Sequence, residues 1–171
     1  MTAEHSVEKP DVGIPLSAPV IMELIEAVHE KGAPFRFQAR GYSMTPAIRD
    51  GDDITISPLG NLIPGRGDVL AFRHINQSQL LVHRVLRKKG DLFLIQGDNC
   101  TTVDGWIPAD NLLGLVTRVE RKGKKCFWPN RSQPGLRSAI YLFIYPVWPP
   151  VRRLLAISKR RLRAVIRPGN K

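Results

Sequence analysis

Apolar residues recur along this chain at two spacings, and the switch between them marks its organisation. Between Ala18 and Lys31, the residues Val20, Ile21, Leu24, Ile25 and Val28 fall at i, i+1, i+4, i+5 and i+8. That spacing gathers them on one helical face, and Gly32 is placed to stop the helix. From Phe35 the period shortens to two. Phe35, Phe37 and Ala39 alternate with Arg36, Gln38 and Arg40, as a half-exposed strand requires. The β-branched run Ile54-Thr55-Ile56 and the apolar run Val69 to Phe72 read as further strands, as do Leu80 to Leu86, Leu92 to Gln96 and Leu112 to Val119. Turn signals separate them: Asp50-Gly51-Asp52, Pro64 to Asp68, and the hairpin signal Lys88-Lys89-Gly90-Asp91.

These elements predict a mainly β fold, a compact antiparallel domain over 35–120 with one packing helix over 18–34. Residues 1–17 are polar and Pro-punctuated and read as a flexible N-terminus. Residues 121–171 form a basic, apolar tail. Within it Ala139 to Val151 holds Tyr141, Phe143, Tyr145 and Trp148, and Pro146, Pro149 and Pro150 interrupt it. Val151 to Arg167 then follows a helical period. Val151, Leu154, Leu155, Leu162, Val165 and Ile166 share one arc, while Arg152, Arg153, Lys159, Arg160, Arg163 and Arg167 occupy much of the other. Ile157 falls off the apolar stripe.

Charge sharpens this division. The net charge of +11 is not spread evenly over the 171 residues. Residues 1–120 carry 12 Lys/Arg against 15 Asp/Glu, whereas residues 121–171 carry 14 Lys/Arg and no acid. An acid-free basic tail is the footprint of an anionic partner. A broken apolar run followed by a basic amphipathic helix suits an anionic membrane surface, contacted through residues 139–167. A helix covering the β-domain, with an ordinary solvated charged face, is the second reading, and nucleic acid the weakest, because no recognisable binding motif accompanies the charge. No stretch reaches the roughly 18–20 apolar residues that span a bilayer, and residues 1–19 show no secretory signal. The expected location is therefore peripheral or monotopic on a membrane, with the cytoplasmic face favoured by the basic tail. Cys100 and Cys126 lack a zinc-ligand spacing, leaving either a single bridge or two free thiols.

The candidate chemistry lies in the strand domain. Gly41-Tyr42-Ser43-Met44-Thr45-Pro46 places a serine at a strand end before a tight turn, where hydroxyl and backbone N–H can face one space. Val82-His83-Arg84-Val85 sets a histidine inside a strand, and Gln96-Gly97-Asp98-Asn99 is followed by Asp104. Taken singly each is ordinary, since Gly-x-Ser segments are mostly turns and Asp-Asn is usually turn chemistry. Together they suit nucleophilic catalysis. A serine hydroxyl needs a base to remove its proton, neutral imidazole serves near pH 7, and a carboxylate can orient that imidazole.

The ordered boxes G-x-S-M-x-P, G-D-V-L-A-F, V-H-R-V and G-D-N with a later aspartate resemble the signal peptidase family over residues 37–119. The resemblance is to the branch of the endoplasmic reticulum, archaea and sporulating bacteria, which carries histidine where the usual bacterial enzymes carry lysine. It implies a signal-peptidase-like β-domain with Ser43 as nucleophile and His83 as general base. It further implies Asp104 as the acid orienting His83, with Asp98 a second candidate for that role or for holding the site together. The implied reaction is endopeptidase cleavage of a leader or signal segment from a peptide or preprotein bound in extended form, with no cofactor or metal. Two features depart from the family. Gly41 stands where a serine often helps bind the oxyanion, and the family's N-terminal membrane anchor has no counterpart, so the C-terminal segment is expected to replace it. Two other readings stay open: a self-cleaving regulator like the SOS-response repressors, which share a similar G-x-S-M box, and a non-catalytic peptide-binding or membrane-surface module.

Overall fold

The structure, a computed structural model, describes residues 17–75, 79–126 and 128. The expected flexible N-terminus and nearly all of the basic tail, including its amphipathic helix, lie outside the described residues.

Helix α1 spans Ala18–Glu30, with Pro19 in its first turn, where the missing N–H costs nothing. Its buried side chains are Met22 and Ile25, and Ala18, Ile21, Val28 and His29 are half-buried around them. The core therefore takes a face rotated from the expected stripe, leaving Val20 and Leu24 exposed. The reason is the second hydrophobic arc through Ala18 and Met22, which the sheet covers in place of Val20 and Leu24. His29 ties the last turn to two strands at once: Nδ1 lies 2.9 Å from the Leu113 carbonyl and Nε2 3.2 Å from the Ile56 carbonyl.

Eight strands succeed the helix: β1 Phe35–Gln38, β2 Asp53–Ser57, β3 Val69–Arg73, β4 Leu80–Lys89, β5 Leu92–Gln96, β6 Gly105–Pro108, β7 Leu112–Arg121 and β8 Lys124–Lys125. All pair antiparallel in one sheet of order β1-β2-β7-β3-β4-β5-β6, with β8 on β7. The expected hairpin at Lys88 to Asp91 is present, joining Lys89 to Leu92 with Gly90 at φ 55°. β1 ends earlier than the alternation through Arg40 suggests. Its ladder to β2 stops at Gln38, the Ala39 N–H still donates to the Asp52 carbonyl, and Gly41 at φ 93° then turns the chain. β6 is an addition to the expected strands, because Gly105-Trp106-Ile107-Pro108 reads as loop; pairing of Ile107 with Phe93 makes it a strand.

β3 explains how one sheet encloses two cores. Its residues Val69 to Phe72 are all buried. Val69 and Ala71 join Met22, Ile25, Met44, Ile48, Ile54, Ile56, Val116 and Val119 under α1. Leu70 and Phe72 project the other way, to Val85, Phe93, Ile95, Ile107 and Leu115. Period-two alternation splits an unbroken apolar run between the two faces.

Among the described residues, the open ladder edges that flank the serine segment belong to β1 and β4. β1 pairs only with β2, and β4 has a partner on its β5 side only from Arg84 onward, opposite Gln96. Leu80 to His83 pair with Arg73 to Leu70 of β3 and, among the described residues, with nothing on the other side.

Candidate active site

Ser43 comes directly after the turn that ends β1. The Gly41 N–H donates to Asp50 Oδ1 at 2.8 Å, which fixes the entry to the turn. A side chain at Gly41 would be strained at its φ of 93°, which accounts physically for glycine at this position. Behind the serine, Met44 and Ile48 are buried in the core under α1, and the Ile48 N–H donates to the Met44 carbonyl at 3.0 Å. Ser43 is thus half-buried, held by an anchored residue on its C-terminal side.

His83 comes from β4, where it pairs with Leu70 and is 4% exposed. The Phe72 ring lies 6.2 Å away, centroid to centroid. Its Nδ1 is 2.8 Å from Asp104 Oδ2. A carboxylate can only accept, so Nδ1 carries a proton, and in the neutral ring Nε2 keeps its lone pair. The Asp104 N–H donates to the Ile95 carbonyl at 2.9 Å, fixing the acid at the mouth of the β5–β6 hairpin.

Nε2 faces the serine segment across Gly97. A Cβ at Gly97 would stand 2.9 Å from His83 Nε2, 2.9 Å from the Ser43 carbonyl oxygen and 2.7 Å from Cys100 Sγ. Only glycine lets these three atoms converge. Ser43 and His83 also line one cavity of about 260 Å³, otherwise walled mainly by Ala18, Ile21, Phe37, Ala39, Met44 and Val82. The Ser43 hydroxyl makes no hydrogen bond to another described residue, so the serine–histidine bond is not formed in this arrangement.

Asp98 is placed elsewhere. Both its oxygens are taken by the Arg84 guanidinium, Nε to Oδ1 at 2.8 Å and NH2 to Oδ2 at 2.9 Å, while NH1 donates to the Gly67 carbonyl at 2.7 Å. This pair is almost wholly enclosed. The Trp128 ring lies 5.9 Å from the guanidinium carbon, and its Nε1–H donates to the Val116 carbonyl at 2.8 Å. Strand parity explains the division of labour. His83 and Arg84 are consecutive in β4 and point to opposite faces, so the two aspartates of one loop serve one neighbour each. The structure therefore brings Ser43, His83 and Asp104 to one place and sets Asp98 on the reverse side, against Arg84.

The sequence motifs assign Arg84, Gly97 and Asn99 no separate role. For Arg84 the signal is an arginine inside an apolar strand, which must find a carboxylate if buried. Cys100 and Cys126 are not bridged to each other. Burial pushes the Cys100 thiol above its ordinary value, and the charges of Asp104 and Asp98 add to the effect, against a smaller opposing contribution from a hydrogen bond at Gly97. Cys100 is therefore a protonated neighbour of the site and a poor nucleophile. Among the described residues no group of three or more His, Cys, Asp and Glu side chains is placed to hold a metal ion. No protein-family model matches the chain, and no curated protein sequence matches it.

Proposed function

We propose that the protein is a serine endopeptidase of the signal-peptidase type, cleaving a leader or signal segment from an extended peptide at a membrane surface. The observation that carries this reading is the His83 ring, fixed by Asp104 through Nδ1 while Nε2 faces the Ser43 segment on a shared cavity. Nε2 takes the proton as Ser43 Oγ attacks the scissile carbonyl, and Asp104 stabilises the imidazolium. The imidazolium then gives its proton to the leaving amine, which departs from an acyl-enzyme. Water, deprotonated by the same nitrogen, releases the acid product and restores Ser43. The Ser43 N–H, which takes no acceptor among the described residues, is the first oxyanion donor. In this reading Asp98 holds the site together through Arg84.

Substrate docks as a strand. The cavity runs between residues 37–41, at the end of edge strand β1, and residues 80–83 of β4, whose outer edge is open. An extended peptide there gains backbone hydrogen bonds from either flank, and the resemblance to signal peptidases implies small side chains before the scissile bond. The C-terminal tail, through residues 139–167, supplies the hold on an anionic membrane, with the cytoplasmic face favoured. No helix among the described residues is long and apolar enough to cross a bilayer.

A second reading, a peptide-binding module without catalysis, is favoured by one observation: Ser43 and His83 share a cavity without a hydrogen bond. A serine-reactive phosphonate separates the two. Labelling of the wild type at Ser43, abolished in Ser43→Ala and suppressed in His83→Ala, is the expected result. No labelling of folded wild-type protein rejects the peptidase.

A further inference from the structure

The loop after β5 touches the serine segment as well as the histidine. The Asn99 N–H donates to the Ser43 carbonyl at 2.6 Å, and the Asn99 side-chain Nδ2 donates to the Tyr42 carbonyl at 3.2 Å. One residue thus grips two consecutive carbonyls, on the serine and immediately before it. The neighbouring Asp98 N–H points at Met44 Sδ, 3.5 Å away, just after the serine. Five residues beyond Asn99, the same loop delivers Asp104 to His83. The Tyr42 side chain is 70% exposed and offers no packing on this side of the serine, and apart from the Asn99 bond its carbonyl accepts only the local Thr45 N–H, at 3.2 Å.

From this we propose that Asn99 is a positioning residue, whose side chain sets the Ser43 backbone, and so its hydroxyl, against His83. The proposal rests on the serine peptidase reading for its kinetic consequence, though the grip itself does not. Asn99 is exposed, and one neutral hydrogen bond at such a place contributes only about 0.5–1.5 kcal/mol to folding. Reaction geometry is far less forgiving, since a displacement of about 1 Å can lower a rate by about 100-fold. The signature of positioning is therefore a rate loss out of proportion to any stability loss. The backbone N–H of Asn99 survives any substitution, so the side chain can be tested while the Ser43 carbonyl keeps its partner.

The test uses full-length Asn99→Ala and Asn99→Asp, the latter nearly isosteric but with an acceptor facing the Tyr42 carbonyl. Phosphonate labelling of Ser43, peptide turnover, thermal melting and amide hydrogen exchange over residues 41–45 are measured. In both variants labelling and kcat are expected to fall about tenfold with KM within twofold. Exchange across 42–45 quickens, and the melting temperature stays within a few degrees of wild type. Full-rate labelling in both variants, or a rate loss matched by general destabilisation, overturns the positioning role. If wild-type protein neither labels nor cleaves, the peptidase reading fails. The exchange measurement then still decides the grip, and unchanged exchange across 42–45 overturns it.

Discussion

Asp104 accepts from Nδ1 of His83 at 2.8 Å, and this one bond selects the tautomer of the neutral ring. Replacing the acceptor by an amide of the same shape removes that selection. Asp104→Asn is expected to lower kcat by about 10³–10⁴-fold with little change in melting, because the ring is then free to adopt the wrong tautomer. Steady-state kinetics with a melting curve decide it; a fold-level collapse would make Asp104 a structural residue instead.

Asp98→Asn is expected to behave in the opposite sense. It strips the enclosed Arg84 guanidinium of its carboxylate, a change that costs about 3–5 kcal/mol when the pair is buried. Chemical denaturation reads this directly. A variant as stable as wild type but slow would move Asp98 from the framework to the chemistry.

Gly97→Ala places a methyl group within 2.9 Å of both His83 Nε2 and the Ser43 carbonyl. The backbone contact cannot swing aside, so base and nucleophile segment must part. Turnover and phosphonate labelling are expected to drop by about 100-fold or more, while circular dichroism reports an intact sheet. Retained labelling would show that the two elements do not need to meet at this glycine.

Acid sensitivity is expected from Asp52. Burial alone would push its carboxyl up, yet the Arg121 guanidinium, the Arg49 N–H and the charges of both arginines outweigh that and hold it below its ordinary value of 3.8. A depressed carboxyl contributes stability that is complete above the ordinary value and is lost as pH falls through its folded value. Asp52→Asn should therefore lower stability at neutral pH and flatten the decline below about pH 4. Urea midpoints from neutral pH down to strongly acid conditions test this, and an unchanged acid limb would remove Asp52 as its source.

Membrane contact by the tail predicts cosedimentation of the full chain with vesicles containing anionic lipid, reversed by high salt. Each Lys or Arg near such a surface is worth about 1 kcal/mol. Neutralising Arg152, Arg153, Arg160 and Arg163 to glutamine should then weaken binding at least tenfold. Equal binding to neutral vesicles would rule out electrostatic recruitment.

Strands whose alternation is strong, such as Phe35 to Gln38 and Asp53 to Ser57, are legible in the sequence, and so is the hairpin at Gly90. β6 is not, because four residues bounded by glycine and proline carry no period of their own; only the partner strand defines them. The helix is legible in place but not in rotation. Val20 and Leu24 are as apolar as the residues that face the core, and the choice between arcs belongs to the sheet beneath. Of the candidate site, the placing of Ser43 and His83 on one cavity follows the order of their boxes. The partition of Asp98 and Asp104 does not, because it depends on which face of β4 each neighbour occupies.

The open edge of β4 at Leu80 to His83 carries a liability as well as a use. A row of N–H and C=O groups with no ladder partner among the described residues, beside apolar walls, is a template for any strand, including one from another copy of the chain. Under the proposed docking of substrate as a strand, self-association would compete with it for the same backbone. At high concentration the resting protein should inhibit itself by pairing edge to edge, and a peptide that fills the groove should dissolve those pairs before it is cut.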